Sequence, residues 1–163
     1  MAKRPRSLGW HGNALLVRRD IKCLHAEPLD LPTLEPRGAV LAELDLRGEH
    51  IRVLGAHLDL SGLRRRDQIK AILKQCTRRG KMPTVIMGDF NQWGRLTGAM
   101  QAFGMGWQQI TPGASYPSAR LIARFDRIIA TPDWSYETSG VHHSATSAAA
   151  SDHLPVGASL RTA

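Results

Sequence analysis

Several short apolar runs of this 163-residue chain end in, or carry, residues able to do acid–base or metal chemistry. Thr84–Met87 runs into Gly88-Asp89-Phe90-Asn91. Alternate residues of an extended segment share a face, so Asp89 and Asn91 present a carboxylate and an amide together while Phe90 anchors the turn. Ile51–Ala56 delivers His57 and Asp59 at the end of a second run, and Arg124-Phe125-Asp126-Arg127 sets Asp126 inside an otherwise apolar segment. A carboxylate buried there needs a partner. Arg124 and Arg127 are the partners nearest in sequence. Finally Ser151-Asp152-His153 leads from a small-residue loop into Leu154-Pro155-Val156. An aspartate next to a histidine suits a hard cation combined with proton or phosphate handling. Each group alone also has a structural reading, as a turn, a strand cap or a satisfied edge histidine. Together, and in this order along the chain, they make a stronger signal than any one of them, for a site that binds a hard cation and handles protons.

These residues must be positioned by the elements around them. Runs of Val, Ile and Leu at Ala14–Val17, Ala39–Leu46, Ile51–Leu58, Thr84–Met87, Leu121–Ala130 and Leu154–Leu160 have the length and composition of buried or half-buried strands. Alternation of Leu41, Glu43 and Asp45 with Ala42, Leu44 and Leu46 predicts one wet face, and Arg47-Gly48-Glu49-His50 reads as a hairpin turn. A helix is predicted over about 63–77, with Leu63, Ile69, Ile72, Leu73 and Cys76 on one face and the arginines largely on another. Ser61 is its candidate cap, and Gly80 and Pro83 end it. A short helix is possible around Leu96–Phe103, and Ala145–Ser151 reads as a loop. Strands outnumber helices and both hairpin and helical connections occur, which predicts a mixed α/β (α+β) layered domain.

The net charge of +8, from 22 Lys and Arg against 14 Asp and Glu, favours polyanionic partners such as nucleic acid. The excess gathers at Lys3, Arg4 and Arg6, at Arg64–Arg66, and at Arg78, Arg79 and Lys81. Such clusters are more often solvated faces than binding grooves. Cys23 and Cys76 are too few for a disulfide framework or a thiolate metal cage and are expected as reduced thiols. No run approaches the ~20 apolar residues of a membrane span and no signal-like stretch opens the chain, so a cytoplasmic location is the expectation.

In order, an H-L after a strand (His57-Leu58), G-D-F-N (Gly88–Asn91), F-D-R-I-I (Phe125–Ile129) and S-D-H-L-P-V (Ser151–Val156) resemble the motifs of the endonuclease/exonuclease/phosphatase superfamily, which includes pancreatic deoxyribonuclease and apurinic endonucleases. Gly12–Leu16 resembles the strand that precedes them. The resemblance implies a two-sheet β-sandwich flanked by helices, the deoxyribonuclease-I-like four-layer fold. It further implies a divalent-metal-dependent nuclease (phosphodiesterase) acting by in-line attack of water. Asp152, with Asp89, would bind magnesium or manganese. Asp89 would orient or deprotonate the water and Asn91 would hold phosphate or water. His57 and His153 would face the scissile phosphate, and Asp126 would hydrogen-bond His153. Trp93 and Arg95 follow G-D-F-N and could stack on or grip substrate; a packing Trp and a solvated Arg are equally good readings. Adjacent His142 and His143 make a poor metal pair, because neighbours on a strand point to opposite faces.

Two family motifs, a strand bearing Asn and a strand ending in a metal-binding Glu, lie upstream of the segment matched by Gly12–Leu16. Met1–His11 contains neither. The expectation is therefore a basic tail over 1–11 and a single, N-terminally incomplete domain over 12–163, with exposed strand edges that favour self-association. Two alternatives stay open. One is a catalytically impaired remnant that binds nucleic acid or another polyanion, and the other is a phosphatase or phospholipase of the same family.

Overall fold

The computed structural model describes residues 12–33, 37–94 and 98–162. Its larger sheet has six strands: β1 (Lys22–Leu29), β2 (Gly38–Leu46), β3 (Glu49–His57), β4 (Thr84–Asp89), β5 (Gln108–Ile110) and β6 (Asp126–Ala130), in the order β1-β2-β3-β4-β6-β5. Neighbours are antiparallel except β3 and β4, which are parallel. Parallel neighbours need a crossover, and α1 (Gly62–Arg78) supplies it. A second sheet pairs β7 (Trp134–Val141) with β8 (Val156–Thr162), and α2 (Ala145–Ala150) connects them.

The period-two side-chain pattern of the central strands divides the core. Leu41, Leu54, Ala56, Ile86 and Ile129 face one way and pack with Ile69, Ile72 and Cys76 of α1 and with Met100 and Phe103 of a 3₁₀ helix at Gly98–Phe103. Leu44, Ile51, Val85, Ile128 and Ala130 face the other way and pack with Trp134, Ala158 and Leu160 of the second sheet. Helices, large sheet and small sheet therefore stack in layers, with both faces of the large sheet apolar. Burying a side chain such as Ile69 or Ile72 in full contributes roughly 1.5–3 kcal/mol.

Several sequence expectations differ from this structure. Residues 14–18 form no strand, although Asn13 makes a bridge and donates from Nδ2 to the Gly38 carbonyl at 3.1 Å. In Leu121–Ala130 only Asp126–Ala130 is a strand; Ala123 makes an isolated bridge to Tyr116. Ala145–Ala150 is helical because Ser144 and Ser147 form a capping box, which starts a helix in a run of small residues that lacks any apolar period. β1, β5 and β7 escaped the sequence reading since polar or small residues interrupt them. Leu63 is 79% exposed, whereas Arg65 and Gln68 are buried on the inner face of α1. Ser61 occupies the cap position of α1 without a side-chain cap bond; its own N–H is held by Asp59 Oδ1 at 2.9 Å. The face of β2 expected to be wet is partly covered, because Glu43 pairs with the fully buried Arg52 at 2.9 Å. Arg52 also donates to the carbonyls of Cys76 (3.2 Å) and Gly80 (3.3 Å). A buried cation thus closes the C-terminal end of α1, where the helix dipole favours positive charge.

Gly48 follows Arg47 in the β2–β3 hairpin, and both have positive φ (57° and 91°), the backbone signature of a two-residue type I′ turn. Gly88 is the more demanding position. Its φ is +138°, and a Cβ there would lie 2.0 Å from the Ala56 carbonyl oxygen of β3. Gly88→Ala is expected to destabilise the chain by roughly 3 kcal/mol or more, since backbone strain and a backbone clash add. Chemical denaturation checks this; a loss within experimental error of wild type would contradict the close β3–β4 approach.

Candidate active site

Strand register builds the site. Gly38 of β2 pairs with His57 of β3, His57 with Asp89 of β4, and Asp89 with Asp126 of β6. Residues directly paired across a sheet point to the same face, so His57, Asp89 and Asp126 stand in a row at one end of the large sheet, on the side of the second sheet. The loop entering β8 brings Asp152 and His153 across from that second sheet. Asn91, just past β4, has a left-handed φ of 49°, a conformation Asn tolerates better than most residues. Its amide donates to the Leu58 carbonyl at 2.9 Å and its backbone N–H to Asp89 Oδ1 at 2.8 Å.

These six residues line one cavity of about 590 Å³, together with Arg37, Arg65, Trp93, Tyr116 and Phe125. His153 Nδ1 lies 2.8 Å from Asp126 Oδ2, which also accepts the Ser115 hydroxyl at 2.5 Å. An ionised carboxylate only accepts, so this contact places the proton on Nδ1 and turns Nε2 toward Asp89 Oδ2, 4.0 Å away. His57 Nε2 lies 3.4 Å from the same Asp89 oxygen. Burial pushes the Asp89 carboxyl up, but it is outweighed by the hydrogen bonds from His57 and the Asn91 backbone and by the charges of His57 and His153. The net effect holds Asp89 below the ordinary carboxylate range and keeps it ionised.

Two buried arginines brace the loop that follows β4. Arg65 donates to the Asp59 (3.0 Å) and Leu60 (2.6 Å) carbonyls and to Gln92 Oε1 (3.0 Å). Arg127 donates to the carbonyls of Gln92 and Gly94, both at 2.6 Å. Asp126 therefore bonds His153 and Ser115, while its neighbour Arg127 serves the backbone. Tyr116 stacks on His153 with ring centroids 4.7 Å apart, and Trp93, 68% exposed, meets Phe125 edge-on at 4.9 Å. Arg95 lies outside the described residues, as does the basic cluster at Lys3–Arg6. Asp59 is buried and shapes the entry to α1, and His142 and His143 are exposed away from the cavity.

Sequence reasoning missed Arg37, Arg65 and Tyr116. Arg65 was hidden in an arginine run that reads as a solvated face. Arg37 and Tyr116 sit in loops whose path only the fold reveals.

Among the described residues no group of three or more His, Cys, Asp or Glu side chains forms a metal-binding set. Three carboxylates line the cavity; Asp126 is taken up by His153 and Ser115, which leaves Asp89 and Asp152 as hard oxygen donors. Magnesium keeps several waters and is commonly held by one or two carboxylates plus substrate phosphate, so this pair fits an open, water-rich cation site and does not fit a closed cage. Cys23 and Cys76 are free thiols outside the cavity.

A family model described as the endonuclease/exonuclease/phosphatase family matches residues 3–153. The chain belongs to that family. Among solved structures it is similar to an endonuclease/exonuclease/phosphatase from Bacteroides vulgatus at 20% identity and TM-score 0.76, covering 90% of this chain and 68% of that one. A mannosyl-6-phosphatase of Bacteroides thetaiotaomicron matches at 18% identity and TM-score 0.71, covering 88% of this chain and 68% of the other. D. rerio TDP2 complexed with a single-strand DNA product matches at 18% identity and TM-score 0.69, covering 87% and 69%. The chain thus spans about two thirds of the length of these structures, and the likeness establishes the shared fold: a mixed α/β architecture with a large and a smaller sheet. No curated protein matches the chain.

The depressed Asp89 carboxyl predicts an acid limit. A group whose pKa falls on folding contributes stability that is complete above its unfolded value and is lost as pH drops through the folded one. Wild type is therefore expected to lose stability more steeply below about pH 4 than Asp89→Asn, measured by denaturant unfolding at several pH values. Parallel curves for the two proteins would contradict the assignment.

Proposed function

We propose that this chain hydrolyses phosphoester bonds, acting as a nuclease-type phosphodiesterase through in-line attack of water on phosphorus. The observation that carries the reading is the single row of His57, Asp89 and Asp126, met by His153 from the facing sheet. Ionised Asp89 orients the attacking water and accepts its proton. Asn91, whose amide is fixed by the Leu58 carbonyl, holds water or a phosphoryl oxygen. His57 and His153 face the phosphate, and Asp126 fixes the His153 ring so that Nε2 is the nitrogen offered to it. A magnesium or manganese ion held through Asp152, with Asp89 beside it, would neutralise charge on the phosphoryl oxygens.

Nucleic acid is the favoured substrate class, because the net charge is +8 and the exposed Trp93 ring at the cavity wall offers a surface on which a base can stack. No helix among the described residues is long and apolar enough to cross a membrane.

Purified protein with magnesium is expected to nick plasmid DNA or cleave oligonucleotides, and EDTA to abolish the cleavage. His153→Ala should lower the rate by about 10²–10⁴-fold, the usual contribution of a positioned acid–base group. Equal background from wild type and His153→Ala would end the enzymatic reading for this chain. Trp93→Ala is expected to raise KM for an oligonucleotide several-fold while leaving turnover of a small phosphate monoester unchanged; equal effects on both would remove Trp93 from substrate binding.

The +8 charge also supports a second reading, a polyanion-binding protein without turnover. Salt-sensitive DNA binding in EDTA, with no cleavage after magnesium is restored, would favour it.

A further inference from the structure

We propose that Arg65 and Gln92 form a buried clasp that holds the His57 and Asn91 ends of the site together, which makes both of them positioning residues for the reaction. The proposal rests on the phosphoester reading above, and Gln92 lies outside every sequence motif. Arg65 is on the inner face of α1 and lines the cavity. Its Nη1 donates to the carbonyls of Asp59 (3.0 Å) and Leu60 (2.6 Å), just past His57. Its Nη2 donates to Oε1 of Gln92 (3.0 Å), the residue after Asn91. Gln68, one turn further along α1, accepts the Asp59 N–H at 2.9 Å. The Gln92 carbonyl is held in turn by Arg127 of β6 at 2.6 Å. One helix and one strand thus close on the two loops that follow β3 and β4.

Stability alone does not account for this arrangement. Arg65 is 8% exposed, each of these bonds goes to a neutral oxygen, and its Nε has no partner among the described residues. Desolvating a cation there costs free energy that such bonds only partly offset, and an apolar side chain on the inner face of a helix would avoid the cost. The guanidinium supplies geometry instead, because its rigid fork reaches three acceptors from two loops at fixed angles. What needs fixing lies next to Gln92. Asn91 has a φ of 49°, a left-handed conformation that a non-glycine residue keeps only where its surroundings hold it. Its side-chain amide donates to the Leu58 carbonyl at 2.9 Å, and the Leu58 N–H donates to the Asp89 carbonyl at 2.9 Å. These two bonds join the same loops that the clasp joins, so loosening the clasp weakens the hold of Leu58 on Asn91.

The test combines NMR and kinetics on the full chain, for wild type, Arg65→Met, Gln92→Leu, their double variant and Gln92→Glu. In wild type the Arg65 guanidinium and the Asn91 side-chain amide are expected to exchange protons more slowly than free side chains. Exchange at the free rate in either group would overturn the proposal, whether or not any variant folds. In folded Arg65→Met and Gln92→Leu the Asn91 side-chain resonances should move and lose protection. Magnesium-dependent cleavage should fall about tenfold or more in kcat with KM little changed, since small misplacements of reacting groups are costly. The two losses should not add in the double variant, and Gln92→Glu, which keeps the acceptor oxygen, should recover most of the rate lost in Gln92→Leu. Lower unfolding midpoints with wild-type kcat and undisplaced Asn91 resonances would reduce the clasp to a structural feature and overturn the proposal. Cleavage by wild type with undisplaced Asn91 resonances in both variants would sink the clasp alone; displaced resonances with no cleavage by wild type would support the clasp and sink the hydrolase reading.

Discussion

The structure depends on one registration: β3 and β4 run parallel so closely that the backbone of Gly88 touches that of Ala56. That approach sets His57 beside Asp89, and antiparallel pairing with β6 then sets Asp126 beside Asp89. Side chains from three separate stretches of sequence become neighbours without any long loop having to find them. Because the side-chain period of a strand is two, a slip of one residue in any of these pairings would turn a site residue to the opposite face and an apolar residue into the cavity. The apolar faces on both sides of the sheet forbid that slip, so the core that stabilises the fold also fixes the chemistry.

Around the row, buried charge is used to hold backbone. Arg52, Arg65 and Arg127 are nearly inaccessible, and each donates to main-chain carbonyls at a loop or helix end. Leaving such carbonyls unpaired in the interior costs more than an exposed bond returns. Arg65 and Arg127 converge on Gln92, which keeps the segment after Asn91 rigid. Asp89 is thereby surrounded by two imidazoles, a backbone N–H and braced loops, and it remains ionised although half-buried.

Much of this was legible in the sequence. The strands Gly38–Leu46, Glu49–His57 and Thr84–Asp89 and the helix Gly62–Arg78 carry clear apolar periods, and the polar residues that end them announce the site. Asp89, Asn91, Asp126, Asp152, His153 and His57 do share one cavity. What escaped was set by context. Burial of Arg65 and Gln68 is decided by carbonyls and amides from other loops, which no local pattern encodes. β1 is mostly exposed, so no hydrophobic alternation marks it. α2 rests on a capping box in a run of small residues. Arg37 reaches the site only because Gly38 registers against His57, a pairing invisible before the sheet is assembled.

If Asp126 acts only through the orientation it gives His153, the two residues form one functional unit, and units of this kind are strongly non-additive. The most direct measurement is a double-mutant cycle of Asp126→Asn and His153→Ala on the rate of magnesium-dependent oligonucleotide cleavage. If the chain cleaves as proposed, Asp126→Asn slows wild-type cleavage strongly but adds almost nothing once His153 is already alanine. Equal fold-losses from Asp126→Asn in both backgrounds would contradict it, because Asp126 would then contribute independently of the ring it is placed to hold.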